Sequence, residues 1–258
     1  MNKLIKLILV IFLIFLILNE LQRKELFISN KNISLVIPCI PRDIEKLNRL
    51  FESIKKQTYQ PFEIIIAISE CNFNEGQELK LKLKKMYGYD VIILNSLEKH
   101  GPGENRNRGA VHAKGDVVSF FDADDAMYPN RLEVINRYFN LINPKALVHS
   151  HSFGYEEYTK TDQEEVILGN ELYDRLIKRD GKIDNSEMHH TLWYLSEGVT
   201  HGNPSIQKNV INDIKFTNHN AGEDCLFLRN IISKYGRNDN TIIYVKMPLT
   251  QYIPSRRQ

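Results

Sequence analysis

The sequence predicts an α/β domain with a mixed, mostly parallel central sheet flanked by helices, behind a single N-terminal transmembrane helix. Three observations predict it. From Ile33 onward, apolar runs of strand length alternate with segments of helical periodicity, the pattern of parallel strands joined by helical crossovers. One run, Val117-Val118-Ser119-Phe120-Phe121, passes without a break into Asp122-Ala123-Asp124-Asp125, so acids should emerge where a buried strand leaves its sheet. Ahead of all this, Leu7 to Leu18 is wholly apolar.

At 258 residues the chain has room for one large domain or two small ones. Lys plus Arg number 34 against 32 Asp plus Glu, a net charge of +2. Bulk electrostatics therefore argue for no nucleic-acid partner, and any phosphate binding must be local. Cys39, Cys71 and Cys225 lack the paired spacing of a zinc or redox site.

A bilayer span wants about 20 apolar residues. The N-terminal run reaches that length loosely when counted from Leu4, with Lys6 snorkelling to the interface. Asn19-Glu20-Leu21-Gln22-Arg23-Lys24 offers no small-x-small cleavage site, which favours an uncleaved single-pass signal anchor over residues 1–20 against a cleaved signal peptide. Lysines before the run and Arg23-Lys24 after it give no firm orientation. In a eukaryotic host the expected location of the domain is the Golgi or an ER-like lumen. Residues 21–32 are expected to form a short polar stem, and residues 33–258 the domain.

Within the domain, Ile33 to Ile37 is the first strand. It is followed by Pro38-Cys39-Ile40-Pro41-Arg42 and a helix to about Gln57, with Ile44, Leu47, Leu50, Phe51 and Ile54 on one face. Phe62 to Ile68 is the second strand, ending at Ser69-Glu70. A helix over about Glu75 to Tyr87 and a strand at Val91 to Leu94 make the third unit. His100-Gly101-Pro102-Gly103 then opens a helix carrying Arg106 and Arg108, which either present donors to phosphates or lie solvated. Gly115 takes the position that closes this helix.

After the acids, a helix from about Asn130 to Ile142 ends before Pro144. Ala146 to Tyr155 is a strand with His149 and His151 on one side, as polar lining of a cleft or, given a third ligand, as a metal pair. Glu156 to His190 is a polar insertion. Gly222-Glu223-Asp224 opens an amphipathic helix to about Tyr235, and Thr241 to Val245 is the last strand.

If the chain stays extended across Asp122-Ala123-Asp124, alternation puts the outer two carboxylates on one side, able to share one hard cation that holds a diphosphate. The competing reading is an acidic turn capping the helix announced by Tyr128-Pro129-Asn130-Arg131. For Glu223-Asp224 the competing reading is also capping, since acids in a first turn suit the helix dipole.

These motifs, in this order, resemble the family 2 glycosyltransferases, whose domain is the GT-A (nucleotide-diphospho-sugar transferase) fold. The resemblance covers residues 33 to about 252. It rests on Leu35-Val36-Ile37-Pro38, on Leu50-Phe51-Glu52-Ser53-Ile54 with Gln57-Thr58-Tyr59 and Pro61-Phe62-Glu63-Ile64, and on Arg106-Asn107-Arg108-Gly109 with Ala113-Lys114-Gly115-Asp116. Phe121-Asp122-Ala123-Asp124-Asp125 and Gly222-Glu223-Asp224 complete it.

The resemblance implies an inverting, hexosyltransferase-like enzyme. It would move a sugar from a nucleotide-diphosphate donor, a UDP-sugar first, to a hydroxyl of a glycan, lipid or protein-linked acceptor. It implies that Asp122 and Asp124 hold a divalent cation, Mn2+ or Mg2+, with the donor, Asp122 lying near the ribose. Arg106 would lie beside the base or phosphates, and Pro38 would open the loop under the nucleotide. Asp224 would be the general base, leaving Glu223 to orient the acceptor or cap the helix. Residues 33–128 would form the nucleotide-binding half and 129–258 the acceptor side. One departure is Ser69-Glu70, where the family often ends its second strand in paired aspartates; Glu70 can accept the same hydrogen bond from a base imide.

The alternative is a catalytically inactive GT-A module that binds a sugar nucleotide or a partner. The joint presence of Asp124 and Asp224 argues for an enzyme. A nucleotidyltransferase would open on a glycine-rich, basic loop, and Pro38 to Asp43 contains no glycine.

Overall fold

The computed structural model describes residues 30–153, 165–171, 203–218 and 222–253. The chain divides into two compact units, Met1–Lys31 and Asn32–Gln258, and the elements described all lie in the second. The anchor expected over residues 1–20, and most of the insertion expected over 156–190, lie outside the described residues. Among those described, no helix is long and apolar enough to cross a membrane.

Nine strands among the described residues form one sheet: β1 (Ile33–Cys39), β2 (Glu63–Ile68), β3 (Ile92–Asn95), β4 (Val117–Phe120), β5 (Ala126–Met127), β6 (Ala146–Phe153), β7 (Glu165–Ile167), β8 (Ser205–Gln207) and β9 (Ile242–Tyr252). The helices are α1 (Leu47–Lys55), α2 (Phe73–Tyr87), α3 (Pro102–His112), α4 (Arg131–Leu141), α5 (Val210–Asp213) and α6 (Glu223–Tyr235). The strand order is β3-β2-β1-β4-β8-β6-β9-β5, with β7 also on β9.

The half β3-β2-β1-β4 is parallel, as the strand-helix alternation predicts. Beyond β4 the sheet is mixed, while β6 and β9 keep the direction of β1 to β4. β8 runs antiparallel to both β4 and β6, and β5 and β7 run antiparallel to β9, while β6 and β9 are parallel. The strands that break the pattern, β5, β7 and β8, are two or three residues long. So short a strand carries no readable periodicity.

β1 is apolar throughout because both of its faces are covered. Leu35 and Ile37 pack with Leu47, Leu50, Phe51 and Ile54 of α1, while Val36 joins Phe120, Phe227 and Leu228 on the other face. The four α1 residues keep the i, i+3, i+4, i+7 spacing of a helix with one buried stripe. Gly109 lets α3 approach β1, since a Cβ there would stand 2.3 Å from Val36 Cγ1.

Several boundaries differ from expectation. β1 continues to Cys39 and contains Pro38. Pairing of β1 with β4 ends at Val36 and Phe120, so the missing Pro38 N–H breaks no ladder bond. In place of the helix expected from beyond Arg42 to about Gln57, a 3-10 turn at Pro41–Asp43 precedes α1, which ends at Lys55. Gly115 does not close α3, which ends at His112 with Ala113 extended. It serves close backbone approach: a Cβ would meet the Asn32 carbonyl oxygen at 2.5 Å, and its N–H donates to Ser34 Oγ at 2.8 Å. β9 runs on to Tyr252 through Pro248, where its register with β6 slips around Ser150, an irregularity that admits a proline.

β1 lies between β2 and β4, so the chain leaves β1 toward β2 and later returns on its other side. Open α/β sheets hold ligands at such a switch point, beyond the carboxyl ends of the strands. Here that point lies between the ends of β1 and β4.

Candidate active site

Asp122 follows β4 by two residues. The acids do not run extended, because the Asp125 N–H donates to the Asp122 carbonyl at 3.3 Å and closes a turn. The alternation argument for pairing Asp122 with Asp124 therefore does not apply. The turn instead sends three carboxylates to three sets of partners. Asp122 Oδ1 receives Arg106 Nη2 at 2.7 Å, and Asp124 Oδ2 lies 3.4 Å from Lys46 Nζ. Asp125 is buried, accepting from the Ile253 N–H at 3.1 Å and from Asn203 Nδ2 at 3.4 Å. Burial pushes the Asp125 carboxyl up to about 8, and the charges of Asp122 and Asp124 add to the push. Arg49 Nη2 donates to the Asp124 carbonyl.

Four consecutive polar residues of α3 organise the other side. Asn105 donates to the Cys39 carbonyl at 3.3 Å and to Ser69 Oγ at 3.4 Å, tying together the ends of β1 and β2. Arg108, half-buried, donates through Nη2 to the Leu94 carbonyl of β3 at 2.8 Å and through Nη1 to Asn105 Oδ1 at 2.7 Å, so its guanidinium is taken up by the protein's own strand ends. Asn107 clamps the backbone of Phe216, donating to its carbonyl and accepting its N–H, both at 2.9 Å. Arg106, 3 % exposed, bridges two acids: Asp122, and Glu223 Oε1 at 2.9 Å. It also lies over the Phe216 ring, 5.4 Å from the centroid.

Glu223 and Asp224 begin α6, after Gly222 at φ +78 in the left-handed region that favours glycine. Glu223 is buried, and its carboxylate goes to Arg106 rather than to its own helix. Asp224 Oδ1 accepts the Cys225 N–H at 2.8 Å, and its charge acts on both Arg106 and Asp122. The end of β4, the middle of α3 and the start of α6 thus converge on one spot.

Glu70 follows β2 with φ +53, a backbone state uncommon outside glycine and concentrated at functional sites. A pocket of about 310 Å³ opens beside it, lined by Pro41, Ile44, Cys71, Leu79 and Lys82 among others. Pro38 itself is buried inside β1, so the chain opens into its loop at Ile40. His149 and His151 are buried instead of lining an open cleft. Burial and the nearby Arg131 charge hold His149 down to about 3. Among the described residues, no three His, Cys, Asp or Glu close on one point as a complete metal site requires. His201, the next candidate base after Asp224 on the sequence reading, lies outside the described residues.

The donor set nevertheless suits a hard cation that arrives with oxygens of its own. The Asp122 and Asp124 side chains are 32 % and 33 % exposed. Mg2+ is commonly held by one or two carboxylates plus substrate phosphates, not by an all-protein cage, and Mn2+ prefers the same oxygen ligands.

Sequence reasoning missed Lys46, Arg49, Arg131 and Asn203. Arg131 is fully buried: Nη1 donates to Ser119 Oγ at 2.8 Å, and Nη2 to the carbonyls of Phe120 and Asn203, both at 3.1 Å. Its guanidinium stands 4.8 Å from the centroid of Phe121. A signal for the cations existed. Lys46 and Arg49 sit at the start of α1 and Arg131 at the start of α4, where the helix dipole disfavours positive charge. All three turn toward the acidic turn or the strand that feeds it.

Comparison with known proteins agrees with this architecture. The model of glycosyl transferase family 2 matches residues 34–201, more than half of the chain. The chain belongs to the family 2 glycosyltransferases. The matched stretch stops ahead of Glu223 and Asp224, so their place beside Arg106 rests on geometry alone. An uncharacterised glycosyltransferase of Haemophilus influenzae is 30 % identical over 103 residues, 40 % of this chain and 33 % of that protein. The GalNAc(5)-diNAcBac-PP-undecaprenol beta-1,3-glucosyltransferase of Campylobacter jejuni is 27 % identical over 103 residues, again 40 % and 33 %. The chain thus spans about a third of the length of these curated relatives. Among solved structures, S. aureus TarS residues 1–349 in complex with UDP-GlcNAc has a TM-score of 0.60 at 17 % identity, covering 88 % of this chain and 60 % of that one. The Pyrobaculum calidifontis mannosyltransferase PcManGT in complex with GDP-Man and Mn2+ has a TM-score of 0.54 at 13 % identity, covering 85 % and 58 %. At these identities the likeness concerns the fold, and it is the GT-A arrangement that the resemblance implied.

Proposed function

We propose that this family 2 glycosyltransferase moves a sugar from a UDP-sugar to an acceptor hydroxyl with inversion, in a single displacement assisted by a divalent cation. The observation that carries the proposal is the convergence of Asp122, Arg106 and the Glu223-Asp224 pair beyond the carboxyl end of β4. Asp122 and Asp124 would hold Mn2+ or Mg2+ together with the donor diphosphate. Once bound, such a cation offsets the charge that develops on the departing nucleoside diphosphate.

The remaining chemistry belongs to the chain's own residues. An acceptor hydroxyl attacks poorly unless its proton leaves as the new C–O bond forms, and Asp224 is the carboxylate assigned to take it. Arg106 fixes Asp122 relative to Glu223, so the donor side and acceptor side of the site share one anchor. Glu70 is assigned to the nucleobase, and its constrained backbone supports that role. The solved TarS and PcManGT complexes, with UDP-GlcNAc and with GDP-Man and Mn2+, support a nucleotide-sugar donor and a cation. The Campylobacter relative supports a glycan or lipid-linked acceptor. Residues 1–20 are assigned as the membrane anchor on their apolar composition.

The test is a thermal-shift and nucleotide-release screen of the detergent-solubilised full chain against nucleotide sugars with manganese. A donor at 100 times its dissociation constant should stabilise the fold by roughly 2.7 kcal/mol. A shift without nucleotide release, or no shift with any donor, would favour the inactive-module reading.

A further inference from the structure

Asn203 occupies a position that no motif singled out. It is fully buried, just ahead of β8, and three of its polar groups are engaged around the acidic turn. Its Oδ1 accepts the backbone N–H of Asp122 at 2.8 Å. Its Nδ2 donates to Asp125 Oδ2 at 3.4 Å, so one amide plane holds both ends of the turn that carries Asp124. Its own carbonyl accepts from Arg131 Nη2 at 3.1 Å, and the same nitrogen also reaches the carbonyl of Phe120, the last residue of β4.

Arg131 is unusual in its own right. Its hydrogen-bond partners are a hydroxyl and two carbonyls, with no carboxylate among them, and the cation lies behind the acidic turn, stacked on Phe121. A buried cation so partnered carries a substantial desolvation cost. Its position is accounted for if its role is to fix Asn203 and lend positive charge to a turn crowded with acids.

We infer that Asn203 is a positioning residue for the cation and diphosphate site: its side-chain amide sets the Asp122–Asp125 turn, and Arg131 sets Asn203. The inference rests on the proposed cation-assisted reading of that site. Residues that orient ligand carboxylates are commonly worth about 10-fold to 100-fold in metal affinity. A purely structural buried asparagine would instead lower stability and affect every ligand alike.

The experiment is calorimetric titration of UDP into the full chain, once with manganese and once with a chelator, for the wild type, Asn203→Ala, Asn203→Ser and Arg131→Lys. The wild type should bind UDP more tightly with manganese. Asn203→Ala should lose about 10-fold or more of that manganese-dependent gain while its affinity in chelator stays within about twofold. Asn203→Ser, whose hydroxyl can still accept the Asp122 N–H, should fall between. If Asn203→Ala does not fold by urea titration, Asn203→Ser and Arg131→Lys carry the same comparison. A full manganese gain in the folded variants, or equal loss with and without manganese, overturns the inference alone. A wild type indifferent to manganese overturns the cation reading and the inference with it.

Discussion

Arg106 Nη1 donates to Glu223 Oε1 at 2.9 Å, a buried ion pair that joins the middle of α3 to the first turn of α6. Because Arg106 also holds Asp122, the pair links the turn assigned to the donor with the helix assigned to the base. Breaking a buried pair by removing one partner is expensive, since the other charge stays behind. Glu223→Ala should therefore lower stability by about 3 kcal/mol in urea unfolding, toward the low end of the usual range because Asp122 remains to Arg106. Glu223→Gln, which keeps an acceptor oxygen, should lose less. A loss below about 1 kcal/mol for Glu223→Ala would mean that the residue only suits the helix dipole.

Asp224 separates chemistry from folding more cleanly. Its Oδ1 accepts the Cys225 N–H, and an asparagine oxygen preserves that bond while removing the basicity. Asp224→Asn should lower turnover by at least about 10²-fold with the melting temperature and UDP affinity unchanged. Near-normal turnover in the folded variant would remove Asp224 as the base.

Asp124 Oδ2 forms a salt bridge with Lys46 Nζ at 3.4 Å. An amide in its place offers one neutral acceptor where a carboxylate offers charge and two oxygens. Asp124→Asn should abolish the manganese-dependent part of UDP affinity and leave the part measured in chelator. Wild-type activity that survives exhaustive chelation would remove the cation from the mechanism.

His149 gives a pH prediction of definite sign. Its folded value is held down to about 3, against 6.5 ordinarily, by burial and by Arg131, with His151 adding. Below pH 6.5 the unfolded chain takes up a proton that the folded His149 refuses. The stability is therefore present above 6.5 and is lost as pH falls toward 3. In urea unfolding, His149→Gln should flatten the acid limb of the stability profile over that interval. Identical limbs in wild type and variant would exclude His149 as a contributor.

The parallel half of the sheet, the stripe of α1 and the position of the acids after a buried strand were all legible in the sequence. Each is written locally: Leu47, Leu50, Phe51 and Ile54 announce their shared face by spacing, and Val117 to Phe121 announce burial by being unbroken. The order of motifs was enough to place the chain in its family. The partners of those motifs were not legible. Arg106 and Glu223 are 117 residues apart, and Asn203 reaches Asp122 across 81, separations over which no periodicity speaks. The tertiary structure alone decided that Asp122–Asp125 is a turn, that Arg108 ties down strand ends while Arg106 bridges acids, and that a short antiparallel β8 brings Asn203 beside β4. The physical reason is that a buried charge or amide is placed by the groups that must satisfy it, and those groups meet only once the sheet has closed around them.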